Sequence, residues 1–286
     1  MSDTTKALHT IALHPGIEMP PAKGTPEYEA YVEEKLSHPP FTFSSGSLYE
    51  LCGAHNWYPV ASQIVRTPKT IFVPVGYELC WLLDGITPKG FDTLLARLGV
   101  ACAEVGYPAF LRTAYTSGKH GWKDTCGGIT CANDISSAVT EIVGFSNMGF
   151  PEQPCHLFMV REMIPTKRLF TAFADMPITR EFRFFVSKDK ITHVQPYWPP
   201  HAVADTVQED VDWESLLQEA SVMTQEEYNF LKAMTVKIGM ALPDNDWSVD
   251  WLQDKDGDWW MIDMAIAGLS FKWEPDFEII KKGNEK

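Results

Sequence analysis

Hydrophobic positions along the 286-residue chain fall into blocks with two different periods. The first block is helical: Thr25 stands as an N-cap and Pro26 at the first helical position before EYEAYVEEKL. From Lys69 the run TIFVPVGYELCWLL is β-branched and aromatic, which predicts a strand. Thr87-Pro88 then starts a helix through KGFDTLLARLGVACAEVG, and this strand-helix unit leads into a further strand around PAFLR. Asn133 is placed to cap a helix over DISSAVTEIVGF. Three strands follow in close order, HLFMVREMI, REFRFFV and KITHVQPYW, and they predict an antiparallel meander whose last two members turn at Ser187-Lys188-Asp189. The acidic run DTVQEDVDWESL reads as irregular. Thr224 to Glu227 forms a capping box for EEYNFLKAMTVKIGMAL, apolar at 230, 231, 234, 238 and 242. Finally DWSVDWLQDKDGDWWMIDMA predicts a hairpin around Lys255-Asp256-Gly257-Asp258.

With 45% hydrophobic residues the chain can bury a full core, as one large domain or two to three tightly associated subdomains. Every apolar run is shorter than the roughly 18 residues a membrane helix needs. MSDTTKALHTIALHPG has no basic segment leading into an apolar one, so a cytoplasmic location is expected. The six cysteines, at 52, 80, 102, 126, 131 and 155, match neither a disulfide framework nor a structural zinc pattern. A formal net charge of −14 argues against a nucleic-acid or anionic-membrane partner, both of which need a basic face. Cations converging on one anion are a different matter, because exposed charges beyond a Debye length of roughly 8 Å are screened.

Three stretches collect such chemistry. In FLRTAYTSGKHGWKDTC, Arg112 lies in a strand after apolar residues, where a buried guanidinium needs an anion. The glycine-rich continuation adds Lys119, His120 and Lys123 on backbone able to approach a ligand closely. It lacks the spacing of a Walker A loop, and taken alone it reads equally as a solvated loop. In REFRFFV the period of two sets Glu181 and Arg183 on one face, with Arg180 nearby as a second phosphate-holding cation; the plainer reading is a surface charge pair. In the terminal hairpin, Asp250 and Asp263 sit among apolar residues on paired strands, a natural magnesium clamp unless both point to solvent.

In this order the parts resemble the ATP-grasp superfamily, and within it the branch containing the cell division cycle 123 proteins. The likeness rests on RTAYTSGKHGW, VREMIP, REFRFFV, ITHVQPYW and VDWLQDKDGDWWMIDMA, over about residues 105 to 275. It implies an α/β and α+β ATP-grasp fold: a pre-ATP-grasp α/β region at 1–105, an N-terminal subdomain at 106–160 and a C-terminal subdomain at 161–286. It further implies ATP and Mg²⁺ as cofactors. Arg112, Lys119 and Lys123 would meet the phosphates, and Met159 to Glu162 would lie beside adenine with Arg161 or Glu162 near the ribose. Arg183 and Lys119 would serve as catalytic cations, and Asp250 and Asp263 as metal ligands. Ala265 departs from the family, which has a metal-binding asparagine there. The implied activity is carboxylate–amine ligation through an acylphosphate, with a small molecule, peptide or protein as acceptor. The alternatives are an ATP-binding assembly factor without turnover, and a phosphotransferase. Oligomeric state is not legible.

Overall fold

The structure is a computed structural model and describes residues 21–37, 51–115, 122, 128–148, 155–207, 209–275 and 279–280. The chain divides into two compact units, Met1–His38 and Pro39–Lys286. In the first, helix α1 (Pro26–Ser37) starts where its cap predicts: Thr25 Oγ1 accepts from the Tyr28 amide at 3.2 Å, and Glu27 and Glu29 set negative charge in the first turn.

The second unit contains helix α2 (Ala54–Ala61) and strand β1 (Thr70–Pro74). The strand predicted from Lys69 onward stops at Pro74, which has no amide to continue a ladder, and Cys80–Asp84 instead forms a 3-10 turn. Helix α3 (Phe91–Val105) starts three residues beyond Pro88, because Gly90 at φ 95° cannot lie inside a helix. Strand β2 (Ala109–Thr113) comes next, and then helix α4 (Ile135–Met148). The N-cap is Cys131 rather than Asn133, at the 3-10 turn Ala132–Asp134 that leads into α4, and Asp134 closes the capping box: its carboxylate accepts from the amides of Thr130 at 2.8 Å and Cys131 at 3.0 Å. Strand β3 (Leu157–Glu162) lies between β1 and β2, antiparallel to both. One face of this three-stranded sheet is apolar: Leu111, Phe158 and Val160 pack with Leu98 of α3 and Val139 of α4, all fully buried.

A second layer follows. Strands β4 (Phe170–Ala172) and β5 (Met176–Ile178) form a small hairpin that no alternation in the sequence announced. Strands β6 (Glu181–Ser187) and β7 (Lys190–Pro196) pair as predicted. The expected three-strand meander is corrected here, since β3 belongs to the first sheet. After the short helix α5 (Pro200–Val203), helix α6 (Trp213–Ala220) occupies part of the acidic run predicted irregular. Asp212 caps it through the Ser215 amide, and Leu217 buries against Phe170 and Trp198. The two-residue strand β8 (Met223–Thr224) leads into helix α7 (Gln225–Ala241), which has the predicted Thr224–Glu227 capping box. Strands β9 (Asp246–Gln253) and β10 (Trp259–Ile266) form the predicted hairpin, and β11 (Ile279–Ile280) pairs in parallel with β8.

The larger sheet runs β10-β9-β6-β7. Its apolar face packs Phe182, Phe184, Val249 and Trp251 with Leu231 and Ile238 of α7, and Trp251 Nε1 donates to Thr235 Oγ1 at 2.9 Å. Phe230, expected on that seam, is 48% exposed. The period of two then turns Glu181, Arg183, Ser248 and Asp250 to the opposite face, although all but Arg183 are among the buried residues. Among the described residues no helix is long and apolar enough to cross a membrane, and no disulfide joins Cys52, Cys80, Cys102, Cys131 and Cys155 to one another.

Candidate functional site

The polar faces of the two sheets meet in a cleft of about 710 Å³, counting its open mouth. Part of its lining is apolar, from Phe110 on β2, Met163 and Ile164 just after β3, Met176, Trp198 and Leu252. The rest carries charge: Arg112, Arg161, Glu162, Glu181 and Asp263.

A row of polar side chains crosses the larger sheet at one level. Arg183 stands opposite Gln195 on β7 and Asp250 on β9, and Asp250 stands opposite Asp263 on β10. Arg183 holds both oxygens of Asp250, Nε to Oδ1 at 2.7 Å and Nη2 to Oδ2 at 2.8 Å, the forked geometry in which arginine binds carboxylates best. From the other sheet, Arg112 reaches across to Asp263, with Nη1 donating to Oδ2 at 2.8 Å. The ladder slips one residue between Met261 and Asp263. Met261 therefore stays in the core, while Ile262 and Asp263, consecutive residues, both line the cleft.

Arg161 is 4% exposed. It donates to Thr70 Oγ1 at 3.0 Å and to the Ile262 carbonyl, while its Nη2 is buried without a hydrogen-bond partner. Burial, and then the neighbouring charge of Arg112, lower its pKa to about 10. Arg183 is shifted the other way: burial opposes its charge, but the Asp250 carboxylate outweighs burial and holds the guanidinium above its ordinary value. Burial also raises the Cys52 thiol, with the charge of Asp263 adding to the effect.

The sequence-predicted residues divide into those the fold gathers and those it does not. Arg112, Arg161, Glu162 and Asp263 line one cleft, and Asp250 and Arg183 adjoin it in the same row. The anion Arg112 needs is supplied within the protein by Asp263, and Asp250 is 3% exposed rather than turned to solvent. Met159 is corrected: it is fully buried in the core, on the middle strand of its sheet between Phe72 of β1 and Arg112 of β2. Met163 and Ile164, just past the strand end, line the cleft in its place. Arg180 is also corrected. It sits on the opposite face of β6, bonded to Glu227 at 2.5 Å and Gln253 at 2.8 Å. Lys119, His120 and Lys123 lie outside the described residues. Gln195 and Leu252 were not singled out, although Gln195 is a member of the row itself and Leu252 lies two residues beyond Asp250 on the same face. Among the described residues no cluster of three or more His, Cys, Asp or Glu is arranged to hold a metal on its own.

No family model matches the chain, and neither does any curated protein sequence. Among solved structures it is similar to the biotin carboxylase domain of Hydrogenobacter thermophilus 2-oxoglutarate carboxylase, crystallised with MgADP, ADP and bicarbonate: 12% identity, TM-score 0.45, covering 75% of this chain and 39% of that one. It is also similar to an ATP-grasp RimK domain protein from Sphaerobacter thermophilus (13% identity, TM-score 0.40, covering 76% of this chain and 59% of that one). A third is the VanG D-Ala:D-Ser ligase of Enterococcus faecalis (13% identity, TM-score 0.41, covering 77% of this chain and 54% of that one). The chain thus spans between 39% and 59% of the length of these proteins.

Proposed function

We propose that the two layers form an ATP-grasp fold and that the cleft between them binds a magnesium–nucleotide complex. In this reading the three-stranded layer belongs to an N-terminal subdomain at 106–160, to which the preceding region lends β1, and the four-stranded layer to a C-terminal subdomain at 161–286. One observation carries the reading. Two arginine–aspartate pairs, Arg112 with Asp263 and Arg183 with Asp250, stand side by side at the end of an apolar slot, and their formal charges cancel (+2 and −2). A ligand that brings both a cation and a polyanion exchanges these pairs like for like, whereas a bare anion or a bare metal leaves buried charge uncompensated.

The residues fit such a ligand. Asp250 and Asp263 are oxygen donors directly opposite each other on paired strands, and two carboxylates suffice for Mg²⁺, which otherwise keeps water and phosphate oxygens. When bound, the metal nucleotide supplies a phosphoryl group for activating an acid. The chain does the rest. Arg112 and Arg183, released by the aspartates, neutralise phosphate charge, and Arg161 offers the buried Nη2. Met163, Ile164, Met176 and Leu252 exclude water around a flat apolar base. Lys119 and Lys123, outside the described residues, would add the further phosphate-binding cations that the resemblance implies.

The reaction class that follows is ATP-dependent joining of a carboxylate to an amine, with a small molecule, peptide or protein as acceptor. A second reading, a nucleotide-binding assembly factor like the cell division cycle 123 proteins, is favoured by Ala265: it stands two residues beyond Asp263, paired with Ser248, and brings no oxygen to the metal. Calorimetry with a non-hydrolysable magnesium–ATP analogue tests the site: binding that disappears in Asp250→Asn/Asp263→Asn supports it, and no binding by the folded protein refutes it. ADP formation from MgATP, screened over acid and amine pairs, then separates ligase from assembly factor.

A further inference from the structure

The charged row does not end where the open cleft ends. Among the described residues the cleft lining reaches Arg112 and Asp263, but Asp250 and Arg183, the next members of the row, lie beyond it. Asp250 is 3% exposed, with both oxygens held by Arg183, and the Arg183 guanidinium lies over the Tyr197 ring, 4.7 Å from its centroid. The segment after β10 covers this end: the Phe271 carbonyl accepts from Arg183 Nη1 at 3.4 Å.

Gln195 ties that segment down. It is 1% exposed and stands directly opposite Arg183. Its Nε2 donates to the Phe271 carbonyl at 3.2 Å and its Oε1 accepts from the Trp273 amide at 3.1 Å. His193 Nε2 lies 3.1 Å from the same Oε1 and 2.9 Å from the Trp273 carbonyl, and Trp273 Nε1 donates to the Pro196 carbonyl at 3.2 Å. Phe271 adds little apolar burial to the clamp, because it is 56% exposed, and Trp273 is half-buried. Hydrogen bonds fix the backbone of the segment, and one buried amide makes those nearest Arg183.

We infer that Gln195 sets how many phosphates the cleft accepts: by pinning residues 271–273 over Arg183 and Asp250 it leaves room for a nucleoside diphosphate ending at Arg112 and Asp263, and a third phosphate enters only when that segment lifts. The inference rests on the nucleotide reading above and makes Gln195 a specificity-determining residue that acts through the backbone of Phe271 and Trp273.

The test compares MgADP with a non-hydrolysable magnesium–ATP analogue by calorimetry, and follows hydrogen exchange over residues 270–275. In the unaltered protein MgADP binds at least as tightly as the analogue, and the analogue, unlike MgADP, speeds exchange over 270–275. Gln195→Leu removes two hydrogen bonds from the clamp. It raises exchange there without nucleotide and shifts the affinity ratio about tenfold toward the analogue, as loss of one to two neutral hydrogen bonds predicts. Gln195→Glu keeps the acceptor for Trp273, loses the donor to Phe271, and falls between. Faster exchange in Gln195→Leu with an unchanged ratio overturns the inference and leaves the nucleotide site standing. If Gln195→Leu does not fold, the unaltered protein decides: equal exchange with both nucleotides overturns it. A folded protein that binds neither nucleotide overturns the nucleotide reading and this inference with it.

Discussion

The ion pair that joins the two sheets gives the sharpest quantitative test. Arg112 and Asp263 meet at 2.8 Å with side chains only 7% and 17% exposed. At an effective dielectric constant of about 20, charges at that separation attract by about 6 kcal/mol, and desolvation of both groups offsets much of it. The pair's net contribution is therefore small, but removing one partner strands the other. Arg112→Met leaves the largely buried Asp263 carboxylate without the cation bonded to it, and Asp263→Asn leaves the buried Arg112 guanidinium without the carboxylate it bonds. Each single change is expected to destabilise by about 3 kcal/mol, the lower end for a broken buried pair because Asp263 keeps some contact with solvent. For a chain of this size that lowers the melting temperature by roughly 6 to 12 °C. The double variant should lose less than the sum, with a coupling of about 2 to 3 kcal/mol measured by urea denaturation in metal-free buffer. Additivity within about 0.5 kcal/mol would mean that the two side chains do not interact, and would remove the reason for placing a charge-exchanging site between the sheets.

Three further outcomes follow from local geometry. Burial pushes the Glu227 carboxyl up, but hydrogen bonds from Arg180 and Thr224 outweigh it and hold it below the usual carboxylate range. Its contribution is thus complete above the unfolded value near 4.3 and is lost as pH falls through the lower folded value. Glu227→Gln should cost about 1 to 2 kcal/mol at pH 7 and flatten that acid limb in a pH series of urea melts. Gly239 in α7 packs against the β6–β7 turn, where an added Cβ overlaps the Lys188 carbonyl oxygen and comes within 2.8 Å of Val186 Cγ2. Gly239→Ala should therefore destabilise by roughly 3 kcal/mol despite alanine's better helix propensity, and a neutral melting temperature would contradict this packing. Ala174 lies at φ 54° in the β4–β5 turn, a conformation that costs a side chain about 1 to 2 kcal/mol. Ala174→Gly should gain about 0.5 to 1 kcal/mol net of the freer unfolded chain, and a loss of stability would show the turn to be unstrained.

Local periodicity was enough to place much of this protein. The two-residue alternation of REFRFFV and of the terminal hairpin put Arg183 and Asp250 on one face, because each strand must bury its aromatic side against α7. Caps were legible for the same reason: Thr25 and Thr224 bond to amides three residues away, within reach of any local reading. Apolar surroundings announced that Arg112 needed a buried anion, but left Asp250 and Asp263 open between a metal clamp and two solvent-facing aspartates. What the sequence could not choose was the partner. Arg112 and Asp263 are 151 positions apart, and any buried carboxylate satisfies a buried guanidinium equally well on local grounds. Alternation sends Arg180 and Arg183, three positions apart, to opposite sides of one strand, but it does not name their partners, Glu227 and Asp250. The membership of β3 in the first sheet, the one-residue slip that brings both Ile262 and Asp263 to the cleft, and the clamp of Gln195 on the segment after β10 are likewise tertiary. A strand carries donors and acceptors on both edges, so its neighbours are decided only when distant segments compete to bury the same apolar faces and to pair the same charges.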